Sequence, residues 1–241
     1  MAAGQSGRAG VIVRPLASLE EFAGAVHLQR SIWGWDELDL LPVRFFVVAG
    51  RIGGQTLGAF DKGYMCGFLL AIPGVKPGGR AYLHSHMTGV LPEFRNTGAG
   101  LALKLAQRDD AIARGINLVE WSFDPMEAKN AFFNLAKLGA VVRTYVPNMY
   151  GVTSSSLQGG MPTDRCIAEW HLGATPVPGG QVKAILDIPS DFGRIRRSNP
   201  EVAREIQQQT AQRFQELLAE GLAASGFERR GDTGAYLFRK I

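Results

Sequence analysis

The sequence predicts a mixed α/β fold, a mostly antiparallel sheet flanked by helices, with a C-terminal extension. Three observations predict it. A meander of strand-type segments fills residues 56–90. Helix and strand patterns then alternate through residue 145. A glycine-rich turn at residues 95–100 joins a strand to a helix. The 241 residues suffice for one large domain, or for one domain with a substantial extension.

Residues 1–10 read as a flexible tail, and Val11-Ile12-Val13 as a short strand. Ser18 and Glu21 form an S-x-x-E capping box that starts a helix over residues 19–31, ended by Trp33-Gly34. Pro42 opens a second helix through Phe45, Phe46 and Val47. Residues 56–60 and 65–72 are strands joined by the hairpin residues Asp61-Lys62-Gly63. A Gly/Pro loop over 73–80 leads to a third strand, 81–90. Residues 101–114 form a helix with Leu101, Leu105 and Ile112 on one stripe. Then come a strand at 118–123, a helix at 127–138 and a strand at 141–145. Residues 147–162, rich in Ser, Gly and Pro, read as a long loop. Strands follow at 164–172 and 182–188, then an amphipathic helix over 201–224 and a closing hairpin from 227–230 and 235–239. The organisation predicted is a tail (1–10), a core (11–172) and an extension packed on it (173–241).

Hydrophobic residues make up 46% and charged residues 20%, which excludes a disordered chain or a long coiled coil. Net charge is +4, from 26 basic and 22 acidic residues, a balance suited to small anionic ligands. The arginine clusters Arg194/Arg196/Arg197 and Arg229/Arg230 lack an aromatic platform, so nucleic acid is not an expected partner. Cys66 and Cys166 have no CxxC companion and read as small buried hydrophobes in a reducing cytoplasm. No apolar run has the length of a membrane span, and residues 1–10 lack the apolar stretch of a signal peptide.

The most informative stretch is Val90-Leu91-Pro92-Glu93-Phe94-Arg95-Asn96-Thr97-Gly98-Ala99-Gly100, which leaves a strand and opens a helix. The first amides of a helix have no intrahelical acceptor and carry the positive end of its dipole, so a pyrophosphate fits there. Gly98 and Gly100 let the backbone approach phosphates, and Arg95 adds charge-assisted bonds. Two other phosphate loops fail. A Walker A loop needs Gly-Lys-Ser/Thr, but Leu101 follows Gly100. The dinucleotide fingerprint needs a third small residue, and Leu103 stands there.

This string resembles motif A of the GNAT acyltransferases, Arg/Gln-x-x-Gly-x-Gly/Ala, and the order of elements from residue 11 to about 146 is similar to that fold. The chain also resembles a stand-alone group of predicted GNAT acetyltransferases with the strand H-S-H-M-x-G-V-x-P. The resemblance implies that Arg95, Asn96, Thr97, Gly98, Ala99, Gly100 and Leu101 hold the pyrophosphate of an acyl-CoA. It implies that the pantetheine arm pairs with backbone at Thr88, Gly89 and Val90. Acetyl-CoA or another acyl-CoA is then the co-substrate, no metal is expected, and the product is an N-acylated small amine. An amino acid is one candidate acceptor, with acetyl or succinyl as the acyl group.

Amide formation from a thioester needs a neutral amine, hence a base, and a stabilised oxyanion. A thiol of pKa about 8.5 leaves without a strong acid. His84 and His86, two apart on the motif strand, titrate in the right range for the base and are expected to share a face with Thr88 and Val90. Arylalkylamine N-acetyltransferases carry a similar His-x-His pair, although two core histidines bound to backbone carbonyls would look alike in sequence. Glu120, then Asp124, are the acidic runners-up. The second family pattern, Ala-x-x-x-Tyr-x-x-x-Gly-Phe, is met at Ala131 and Gly139 but has Leu135 at the tyrosine and Ala140 at the final aromatic. That tyrosine often protonates the leaving thiolate. Tyr145, Tyr150 or water replaces it, or the chain binds acyl-CoA without turning it over. Asn130, near the start of that helix, is a further coenzyme contact.

For the acceptor, Arg143 and Arg165 are candidates to grip a carboxylate, against the alternative of surface arginines paired with acids. Trp33, Trp35 and Trp121 are pocket candidates or simply core. The extension reads as a lid, a homodimer surface or a second half of the same fold.

Overall fold

A computed structural model describes residues 10–151, 160–173 and 180–241. All but the last residue of the predicted tail, most of the serine-rich loop and part of the connector before residue 182 lie outside them. Two compact units appear, residues 1–119 and 120–241.

The first unit begins with β1 (Val11–Pro15), α1 (Leu19–Trp33) and α2 (Val43–Arg51). Ser18 caps α1 by accepting the Glu21 amide at 3.2 Å, as the capping box predicts. The Glu21 carboxylate accepts from the Ala17 amide and the Arg14 guanidinium, and Arg14 leads in holding it down at about 2. Three strands follow: β2 (Gln55–Asp61), β3 (Tyr64–Val75) and β4 (Ala81–Val90). With β1 they form the antiparallel order β1-β2-β3-β4. Lys62 and Gly63 both take positive φ (48° and 86°), the hairpin geometry read from Asp61-Lys62-Gly63. A core of Leu16, Ala25, Leu28, Phe46, Phe68 and Leu70 lies between α1, α2 and one face of these strands.

Strand β3 is longer than the sequence suggested, because Pro73 pairs with Leu83 and Val75 with Ala81. Strand β2 stops opposite Ala71, so this part of β3 has a neighbour only on the β4 side. In that edge-like setting the missing N–H of Pro73 is tolerated.

After a 3-10 turn (Pro92–Phe94) comes α3 (Ala99–Ala113). Its buried face is Ala99, Leu103, Lys104, Gln107 and Ala111, whereas Ile112 is 48% exposed. The predicted Leu101/Leu105/Ile112 stripe is therefore not the buried one. Small alanines and satisfied polar groups mark the true face. Gln107 donates to Gln55 Oε1 at 2.9 Å, Gln55 returns a bond to the Gln107 carbonyl at 3.0 Å, and Lys104 donates to Ser85 Oγ and Gln107 Oε1 at 3.0 Å each. These bonds fix α3 to β2 and β4. A count of apolar residues cannot detect a face built this way.

β5 (Leu118–Phe123) carries the chain into the second unit. There α4 (Ala128–Ala131) passes into a π-helical turn (Phe132–Lys137), where one regular helix over 127–138 was expected. The Leu138 amide reaches back to the Phe133 carbonyl at 3.0 Å, and Ala140 to Asn134 at 3.0 Å. Next come β6 (Val141–Val146), β7 (Arg165–His171) and β8 (Ala184–Pro189). Then α5 (Phe192–Ser198), which periodicity missed because it has seven residues, precedes α6 (Pro200–Ala219). The last strands are β9 (Ala223–Arg230) and β10 (Thr233–Arg239). The helix predicted to reach residue 224 stops at Ala219, because Gly221 takes φ 76° and Ala223-Ala224 join the sheet. Strand order in this unit is β5-β7-β6-β9-β10-β8. Its centre is aromatic, with Phe214 of α6 within 5.3 Å, centroid to centroid, of Tyr145, Tyr236 and Phe238. Among the described residues no helix is long and apolar enough to cross a membrane.

Candidate acyl-carrier and acceptor sites

In the first unit, β4 ends at Val90 and the chain turns through its own hydrogen bonds. Phe94 and Arg95 amides reach the Leu91 and Pro92 carbonyls at 3.0 and 3.2 Å, and Thr97 Oγ1 donates to the Phe94 carbonyl at 2.7 Å. Asn96 and Gly98 take positive φ, 65° and 100°. Gly98 is the N-cap of α3 and brings no side chain to bind the amides that follow. The first bond closed inside the helix is from the Ala102 amide to the Gly98 carbonyl, 2.9 Å. The amides of Ala99, Gly100 and Leu101 thus open the helix without an intrahelical acceptor. Arg95, Asn96 and Gly98 are exposed, Thr97, Gly100 and Leu101 partly so, and Ala99 is buried as the hinge of the turn. A cradle of amides at the positive end of a fifteen-residue helix, with Arg95 beside it, suits a pyrophosphate.

Strand β4 contains the feature that sequence could not show. Leu70 of β3 pairs with Met87 while Ala71 pairs with Ser85, so His86 is an extra residue, a β-bulge. The bulge reverses the faces. Thr88 lies opposite Leu69, and His84 lies opposite Ile72, three residues further along β3 and hence on its other face. Ile72 belongs to the α1/α2 core, and the His86 ring stands 6.4 Å from Phe45 of α2. On the other side, a Cβ built on Gly100 of α3 would lie 3.8 Å from Val90. The expectation that the histidines share a face with Thr88 and Val90 is therefore corrected. A period of two holds only along an unbroken strand, and the bulge shifts it by one.

The two imidazoles lie 5.9 Å apart. Burial lowers the His84 pKa to about 4, assisted by positive charge at His86, Lys104 and Lys76. His86 is the more exposed ring, and desolvation lowers it as well. Both are neutral at physiological pH, the state in which an imidazole accepts a proton. His86, exposed where His84 is half-buried, is the more accessible acceptor of the pair.

In the second unit Glu120 is buried on β5 beside Trp121, which meets Trp170 edge-on at 6.2 Å. Asp124 accepts the Met126 amide at 2.8 Å; burial raises its pKa, and Arg165 opposes that rise. Asn130 is exposed on α4. Leu135 and Ala140 are both buried, so apolar packing fills the positions where the family pattern has aromatics. Tyr145 does not replace the missing tyrosine: it is buried, donates to Asp164 Oδ2 at 2.7 Å, and burial pushes its pKa far up. Tyr150 is 47% exposed, and its hydroxyl lies 2.9 Å from Ser122 Oγ. Arg143 is paired with Glu169 at 2.7 Å, which removes it as a carboxylate grip, whereas Arg165 lies over the Tyr150 ring at 5.4 Å. Trp33 and Trp35 stack on each other at 4.8 Å, and Trp33 meets Phe68 of the core. Both cysteines are buried free thiols, as read from the sequence.

No protein-family model and no curated protein matches the sequence. Solved structures do match in fold. One is yncA, a putative acetyltransferase from Salmonella typhimurium solved with acetyl-CoA: 17% identity, TM-score 0.56, 72% of this chain and 100% of that one. Another is the ribosomal-protein-S18-alanine N-acetyltransferase from Escherichia coli: 17% identity, TM-score 0.53, 70% and 97%. A third is aminoglycoside 6'-acetyltransferase type Ii: 17% identity, TM-score 0.54, 68% and 99%. The chain has the GNAT fold, a mixed and mostly antiparallel α/β architecture.

Proposed function

We propose that this protein is an acyl-CoA-dependent N-acyltransferase that moves an acyl group, acetyl first and succinyl second, to the amine of a small molecule. The observation that carries this reading is the uncapped α3 terminus behind Gly98, preformed next to the bulged strand of a GNAT fold. In this reading Arg95, Asn96, Thr97, Gly98, Ala99, Gly100 and Leu101 hold the pyrophosphate. Backbone at Thr88, Gly89 and Val90 meets the pantetheine, and Asn130 is an outer contact. In the same reading residues 11–172 form the acyl-transfer core and 173–241 its extension; a core of that size agrees with the 68–72% of the chain that the neighbours match.

The reaction is direct attack. The amine nitrogen adds to the thioester carbonyl, the tetrahedral oxyanion collapses, and the C–S bond breaks. His86 takes the proton that the nitrogen sheds, with His84 neutral behind it and Glu120 as the alternative base. The thiolate leaves as such, because its conjugate acid has a pKa of about 8.5, and takes a proton from solvent. Two unpaired buried cysteines suit a reducing cytoplasmic setting.

Thiol release from acetyl-CoA in the presence of an amine panel tests the reading. Turnover is expected with at least one amine. His86→Gln should lower kcat/KM by about 10²–10⁴ while coenzyme binding persists. Full activity in that variant would remove His86 as the base. Binding without turnover across the panel would favour a non-catalytic acyl-CoA-binding protein, the reading that Leu135 at the tyrosine position supports.

A further inference from the structure

Arg165 is the first residue of β7 and is only partly exposed. Its Nη1 donates to the Asp164 carbonyl at 2.8 Å, and its guanidinium stacks on Tyr150. A guanidinium has five N–H donors. Among the described residues no carboxylate pairs with it, in contrast to Arg143 one strand away, which Glu169 neutralises. Asp124 feels the charge of Arg165 without forming an ion pair with it, and the acids nearby accept other donors. Asp124 accepts the Met126 amide, and Asp164 accepts Tyr145 Oη and the Asn148 amide. The Tyr150 and Ser122 hydroxyls share one hydrogen bond, so one of their two protons remains free to donate.

This grouping is held in place. Thr163, fully buried, accepts the Tyr150 amide through Oγ1 at 2.9 Å and donates to the Gly151 carbonyl at 2.8 Å. Asn148, at φ 45°, accepts the Thr163 amide at 3.1 Å. The turn that carries Tyr150 is thereby fastened to the start of β7, where Arg165 sits. A guanidinium, which can only donate, beside a hydroxyl with a proton to spare favours a partner rich in acceptors.

We infer that Arg165, with Tyr150 and Ser122, binds the carboxylate of the acceptor, which makes the acceptor a carboxylate-bearing amine such as an amino acid. One guanidinium balances the single charge of a carboxylate better than the double charge of a phosphate dianion, the more so with Asp124 and Asp164 close by. This inference deepens the proposed acyl transfer and rests on it for the amine end of the substrate alone.

The test compares amines that differ only in the carboxylate, an amino acid against its carboxamide, as a ratio of kcat/KM. The wild-type protein is expected to prefer the acid at least tenfold. Arg165→Met should bring the ratio to about one, and Arg165→Lys should restore part of it. Tyr150→Phe keeps the ring under the guanidinium and should lower the ratio about tenfold, which covers the case of an Arg165 variant that fails to fold. Equal rates for acid and amide in the wild type, or an unchanged ratio in the variants, would overturn the inference. If no amine is turned over, calorimetric binding of N-acetyl amino acids against their amides decides separately. Binding of the acid alone, lost in Arg165→Met, sustains the carboxylate site though acyl transfer fails, and equal or absent binding overturns it.

Discussion

At Gly98 the backbone stands at φ 100° and an added Cβ would have open space around it. The cost of Gly98→Ala is therefore conformational, about 1–2 kcal/mol. The variant should lose that much in denaturant unfolding and bind acetyl-CoA more weakly, because the cradle amides follow this residue. Unchanged stability and affinity would show that the turn does not need its left-handed residue. At His84 the native ring has a pKa of about 4, against an ordinary value of 6.5. Between these values the unfolded chain holds a proton that the native one does not, so stability falls as pH drops through the window from 6.5 to 4. Above 6.5 both states are neutral and the effect vanishes. His84→Gln should flatten the pH dependence of the unfolding midpoint across that window, and an unaltered slope would place the acid sensitivity elsewhere. The amide cradle was legible in sequence because it is local: Arg95, Gly98 and Gly100 lie within six residues and need no partner strand to be recognised. The face of the histidines was not legible. It depends on which residue of β3 pairs with which residue of β4, and the extra residue, His86, looks like any other member of an alternating strand.

Among the elements, α3 and the turn after β6 show how polar contacts place a site. The face of α3 rests on Gln55, Ser85, Lys104 and Gln107, residues that an apolar periodicity ignores. The strands, by contrast, were read closely. Turn chemistry at Asp61-Lys62-Gly63 marks the first hairpin, whereas the first strand of the closing hairpin, expected from 227, begins at Ala223, within the stretch expected as helix. The π-helical turn at 132–137 and the short α5 escaped, one because an inserted residue does not disturb composition, the other because seven residues cannot show a period. Tyr145 of β6 ties this strand to Asp164 through one buried hydrogen bond of 2.7 Å. Tyr145→Phe should cost about 1–3 kcal/mol by leaving that carboxylate short of a donor. Acyl transfer should persist, because this hydroxyl is buried and its pKa lies far above the ordinary range. A lost rate with unchanged stability would make Tyr145 the acid after all.

Over the whole molecule, each unit builds its own core, the first from α1, α2 and β1–β4, the second around Phe214 and its ring neighbours. The second unit joins residues 120–172 to the extension through the pairing of β9 with β6, Ala224 opposite Val142. Sequence located the strands of the extension but not their place in the sheet, since pairing at such separations leaves no local signal. The central claim is that the loop after β4 is an acyl-CoA site. Thermal unfolding with and without acetyl-CoA, succinyl-CoA and coenzyme A tests it most directly. Ligand at about 100 times its dissociation constant adds roughly 2.7 kcal/mol, a rise of about 5–10 °C for a chain of this size. The account predicts that rise with at least one of the three, and its reduction in Arg95→Ala. A folded protein whose midpoint moves with none of them would contradict the site, leaving a GNAT fold that does not carry acyl-CoA.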